Sequence, residues 1–130
     1  MKQAELDQFA AHCLERLGDD EDAWFALVEA PPAIIPVLAS AFHSEFDAGK
    51  RATILNVIWQ HRDPSSIPLL GDGLQDSSPL VWKQALDGLV TIGGPESIST
   101  IKAARSRKFS CDPDQRKFRE FLDEALQHLR

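Results

Sequence analysis

The stretch Ser66–Ser97, SIPLLGDGLQD over 66–76 running on into SSPLVWKQALDGLVTIGGPES over 77–97, decides the fold, because its glycines read either as a ligand-cradling loop or as punctuation in a repeated unit. A phosphate loop needs a strand before it and the GxxxxGK[ST] spacing after it, and neither is present. The signals are helical instead. Ser78 precedes Pro79 and Gly94 precedes Pro95, which places proline at a first helical position, where its missing amide hydrogen would have had no partner. Gly93 and Gly94 admit the left-handed turn that closes a helix. Gly71 and Gly73 then fall inside the first helix of a hairpin, where they let a neighbouring helix approach closely, at about 1 kcal/mol each in helix propensity.

Working outward, the stretch repeats. PAIIPVL at Pro32 to Leu38 matches PSSIPLL at Pro64 to Leu70 at an offset of 32, and PESISTI at Pro95 to Ile101 follows at an offset of 31. The helix after each copy repeats as well: Ile54, Leu55 and Ile58 fall on Ala85, Leu86 and Leu89, 31 residues apart. Phe118 and Leu122 continue the series after a small insertion near Ser110. The unit is a helical hairpin of 31 to 33 residues used at least three times, which is the signature of a solenoid.

The remaining segments agree. Leu6, Phe9, Ala10, Cys13, Leu14 and Leu17 recur at steps of three and four, an apolar stripe on one helix face. A short second helix over 21–30 carries Trp24, Leu27 and Val28 and is stopped by Pro31 and Pro32. Asp63, Ser78 and Asp112 each precede a proline and are predicted to cap the helix that follows.

The segment from Asp76 to Ile101, an aspartate followed by SSPLVWKQALDGLVTIGGPESISTI, resembles the short HEAT-like repeat of the phycobilisome-lyase type, through Asp76, Pro79, Val81, Lys83, Ala85, Leu89, Ile92, Gly93 and Pro95. The resemblance implies an all-α, right-handed α-α superhelix of about four hairpins, divided as a capping hairpin over 1–31, repeats over 32–62 and 63–94, and a C-terminal repeat or cap over 95–130. The family places arginine directly after the valine. Arg51 keeps that pattern in one repeat, whereas Trp82 breaks it in the next.

Composition bounds the function. The 130 residues are one domain's worth, with 43% apolar and 26% charged residues. No signal-peptide run and no stretch of 18 apolar residues occurs, so a cytoplasmic protein without a membrane partner is expected. Cys13 and Cys111 have neither a CxxC nor a metal spacing and read as reduced thiols. The four histidines, His12, His43, His61 and His128, form no i, i+4 pair of the kind a metal site on a helix uses, and no His-Glu dipeptide of the HEAT-like di-iron hydroxylases occurs. No cofactor and no small-molecule substrate is expected.

Charge is asymmetric within a net −6. Residues 1–62 hold 10 acids and 5 bases, residues 63–95 hold 4 and 1, and residues 96–130 hold 6 and 8. A mildly basic last third in an acidic whole argues against the strongly positive face of a HEAT-like DNA glycosylase.

The expectation is therefore a non-enzymatic module that binds another protein on the concave surface made by its second helices, in the form of a small bacterial adaptor or a toxin-neutralising immunity protein. The alternative is a HEAT-like enzyme or nucleic-acid-binding protein, glycosylase-like or bilin-lyase-like. The partner-binding row is expected to include Arg51, Trp59, Trp82, Lys83, Arg116, Lys117 and Arg119, with Trp82 as its sharpest member because it leaves the repeat pattern.

Overall fold

The computed structural model describes residues 2–129. Among them are eight α-helices and no strand: α1 Gln3–Arg16, α2 Glu21–Glu29, α3 Ile35–Ser44, α4 Ala48–Gln60, α5 Ile67–Gly73, α6 Pro79–Ile92, α7 Gly94–Ala104 and α8 Asp112–His128. Single turns of 3-10 helix, Pro32–Ile34 and Pro64–Ser66, lead into α3 and α5. The fold is the all-α helical repeat that the sequence pattern implies.

Each helix packs on its successor within the pairs α1–α2, α3–α4, α5–α6 and α7–α8. Between pairs, α1 meets α3 and α5 meets α7 in one layer, α2, α4, α6 and α8 follow one another in a second, and α6 also packs on α7, which succeeds it in the chain. The two layers enclose a core that runs the length of the stack, with Leu27, Leu38, Leu55, Leu70, Leu89 and Phe118 all essentially inaccessible.

Local chemistry sets the boundaries. The Asp20 side chain accepts a hydrogen bond from the Asp22 amide at 2.9 Å and starts α2, Asp47 accepts from Lys50 at 2.8 Å and starts α4, and Ser78 accepts from Leu80 at 3.3 Å and starts α6. Asp63 caps as expected, but it caps the 3-10 turn, by accepting from the Ser65 amide at 2.9 Å. Asp112 does not cap. It is the first residue of α8, preceded by Cys111, and its carboxylate lies in the first turn, where the helix dipole favours negative charge.

Glycines shape the stack by close approach at Gly73 and by a tight turn at Gly93 and Gly94. A Cβ at Gly73 would lie 2.8 Å from the Ala85 Cβ and 3.0 Å from the Leu55 Cδ1, so α5 settles onto α4 and α6 only because that side chain is missing. Gly93 and Gly94 adopt φ of +68° and +86°, so the chain leaves α6 and enters α7 through a single residue. Both cysteines are free, Cys13 buried and Cys111 exposed. No single helix among the described residues is long and apolar enough to cross a membrane.

Candidate functional site

The residues predicted to form one binding row are divided among several environments. Arg51, in the first turn of α4, is a clamp inside the molecule. Its guanidinium donates to both carboxylate oxygens of Asp76, at 3.2 and 3.1 Å, and to the Glu45 and Phe46 carbonyls, at 3.2 and 2.7 Å. Asp76 also accepts from the Ser78 amide at 2.9 Å. The pair therefore ties the loop before α4 to the loop before α6.

Trp82 is not presented to a partner. It is 4% exposed and packs edge-to-face on Phe118 and Phe121 of α8, with ring centroids 5.0 and 5.5 Å away. The helix starts supply the physical reason. From Ala48 to Pro79 the offset is 31 residues, which carries Arg51 onto Trp82; from Pro79 to Asp112 it is 33, which carries Asp76 onto Phe109. Both members of the ion pair are thus replaced at the next junction. Phe118 lies 5.0 Å from Trp82 and 5.0 Å from Phe109 and joins the two substitutes. Arg107 covers the outside of the cluster, 4.3 Å from the Phe109 ring, and donates to the Leu74 carbonyl at 2.5 Å. Burial there pulls its guanidinium below the usual arginine range.

The other basic positions separate. The Lys83 ammonium lies 5.0 Å from the Phe121 ring and 5.7 Å from Trp82. Arg119 donates to the Arg105 carbonyl at 3.2 Å, and Arg105 forks onto Asp123 at 2.8 and 3.2 Å, so this cluster closes the end of α7. Arg116 and Arg119 line a polar depression with Arg105, Asp112, Glu120 and Asp123. Lys117 is exposed one turn before Phe121.

The second-helix face is organised around Trp59 instead. The Trp24 indole N–H donates to Asn56 Oδ1 at 2.8 Å, Asn56 Nδ2 donates to Gln84 Oε1 at 3.3 Å, and the Trp59 indole N–H donates to the same Gln84 oxygen at 2.9 Å. This amide ladder links α2, α4 and α6 and holds both half-buried indoles in fixed orientations. Gly88 makes room for one of them, since a Cβ there would lie 2.8 Å from the Trp59 Cβ.

Beside Trp59 opens a groove of about 420 Å³ lined by Leu86, Asp87, Val90 and Thr91 of α6 and by Phe121, Glu124, Ala125 and His128 of α8. Every lining residue belongs to α4, α6 or α8, which places the groove wholly on the second-helix face. Partial desolvation pushes the Asp87 carboxyl above the usual carboxylate range. Among the described residues, no three His, Cys, Asp or Glu side chains converge in a way that holds a metal ion.

The family model for HEAT repeats matches residues 35–109, more than half of the chain. The chain belongs to the HEAT-repeat family. The match covers α3 to α7 of this HEAT-repeat protein and ends before α8, so it includes one wall of the groove and not the other. It is to HEAT repeats as a class and carries no assignment to the phycobilisome-lyase-type branch. No curated protein and no solved structure shows a significant match to the chain. HEAT repeats are generally protein-interaction scaffolds, and the family is typically non-enzymatic.

Of the groove residues, sequence reasoning found only Trp59. The helical spacing of Asp87 with Thr91, and of Phe121 with Glu124, Ala125 and His128, was the available signal. Pairing those two sets requires the 33-residue offset that the helix starts reveal.

Proposed function

We propose that this protein is a non-enzymatic scaffold that binds a partner protein on its second-helix face, with the groove between α6 and α8 at the centre of the contact. The observation that carries the reading is the groove itself: an apolar floor around a half-buried tryptophan, edged by polar side chains, on the layer that a solenoid presents as one continuous surface. Tryptophan held by a hydrogen bond beside an open apolar depression is the kind of residue that dominates interface energetics. The finer form of the proposal is a small adaptor or immunity protein whose net charge of −6 masks a basic effector.

Site-specific photocross-linking tests it. A photoreactive residue at Thr91, on the groove, is expected to capture one stoichiometric protein from the native organism, while the same residue at Lys102, exposed on α7, captures none. Cross-linking at Lys102 alone, or at neither position, rejects the second-helix face as the binding surface. Release of a basic effector's toxicity on co-expression separates the immunity form from a general adaptor.

A further inference from the structure

We propose that the groove between α6 and α8 is a socket for an arginine side chain of the partner, flanked in the partner by an apolar residue. The proposal rests on the second-helix face being the binding surface and assigns the chemistry it recognises. Trp59, Leu86, Val90 and Phe121 give the groove an apolar body, while Asp87 and Glu124 bring two carboxylates to it. Among the described residues neither carboxylate is paired with a cation.

That combination discriminates among side chains. An anionic residue meets two like charges, and an aliphatic one fills the apolar body but draws water away from carboxylates it cannot bond. Arginine uses every wall: its methylene stem lies on the apolar floor, and its planar guanidinium stacks on an aromatic face while donating in pairs to a carboxylate. Lysine brings the charge without the planar fork.

Size and charge agree. A volume of about 420 Å³ is near the lower end of ligand pockets, roughly 300–1,000 Å³, which suits one long side chain and part of its neighbour. The net charge of −6 steers a basic surface towards the face. A guanidinium beside Asp87 would also favour the ionised form that partial desolvation disfavours.

The test titrates the isotope-labelled full chain with the peptide acetyl-Ala-Leu-Arg-Leu-Ala-amide, and with its citrulline and lysine counterparts, followed by NMR. Shifts are expected at the Trp59 indole N–H and at the Asp87, Thr91, Phe121 and Glu124 amides. Citrulline keeps the shape and loses the charge, so its peptide is expected to bind about tenfold more weakly, the scale of one charge-assisted hydrogen bond. Asp87→Asn combined with Glu124→Gln is expected to bring the arginine peptide down to the citrulline level. Equal affinity of the arginine and citrulline peptides, shifts centred away from the groove, or no shift at millimolar peptide each overturn the socket. If Thr91 cross-linking still captures a partner when the peptides fail, the socket alone is wrong; if both fail, so is the scaffold reading.

Discussion

Truncating Trp82 to alanine should destabilise the protein by about 3–5 kcal/mol in urea unfolding, the range for removing a large buried aromatic, because its ring is buried against Phe118 and Phe121. A change under about 0.5 kcal/mol would mark a surface site and contradict that packing. Restoring the repeat's own residue is no repair: Trp82→Arg buries a guanidinium where Phe109 replaces the carboxylate, and a loss of about 3–5 kcal/mol is expected. Adding Phe109→Asp should recover part of the loss, with a coupling of roughly 0.5–3 kcal/mol in a double-mutant cycle. Trp82 was legible as a departure from the pattern but not as a core residue. Its counterpart Phe109 lies next to the two-residue insertion that hides the correspondence with Asp76. Asp87 yields a pH prediction. Its carboxyl sits above the ordinary value in the folded protein, so the folded state holds that proton more tightly and ionisation weakens the fold. Asp87→Asn should therefore raise the urea midpoint at pH 7, and the advantage should vanish below about pH 3.9, the unfolded aspartate value. An equal gain at both pH values would point to a cause other than ionisation.

At the scale of helices, spacing is set by missing side chains. Gly73→Ala adds a Cβ 2.8 Å from the Ala85 Cβ, which has no rotamer in which to retreat, whereas Gly71→Ala meets the Thr100 Cγ2 at 3.0 Å, which can rotate away. The first should be destabilised by about 1–3 kcal/mol despite alanine's better helix propensity. The second should be less affected, and thermal unfolding of the pair reverses the expectation if Gly71→Ala is the worse. The elements were readable because the cue and the cause coincide: Pro31 and Pro32 follow the end of α2, Ser78 bonds the first turn of α6, and Gly93 and Gly94 turn the chain between α6 and α7. Asp112 was misplaced because proline also fits the second helical position, where Pro113 and Pro95 lie. The sharing of the Gln84 carbonyl oxygen by Asn56 and Trp59 had no sequence cue, since the bonds span 28 and 25 residues between neighbouring hairpins.

For the whole molecule, the core runs through four hairpins, and the last one covers the aromatic junction. A chain ending at residue 108 would remove α8 and expose Trp82 together with its neighbours on α6 and α7. It is expected to bind a hydrophobic dye and lose its cooperative unfolding transition, whereas a sharp transition with native near-ultraviolet dichroism would show that α8 is dispensable to the fold. The repeated helical hairpin was legible from the 31- and 32-residue offsets, and its stacking into a superhelix from the HEAT-like resemblance. The position of the groove was not, because it depends on where α8 lies against α6 and on which side chains their stacking leaves half-covered.

The exchange of Arg51 and Asp76 for Trp82 and Phe109 also gives the hairpins a fixed order. A duplicate of residues 63–94 spliced in after the original would set the first copy's Trp82 against the second copy's Asp76 and Ala85, where Phe109 and Phe118 now lie. Inserting a copy of this unit would therefore mismatch the seam, because each hairpin contacts only its neighbours and the contact must be complementary on both sides. The aromatic junction thus specifies which hairpin packs against residues 63–94.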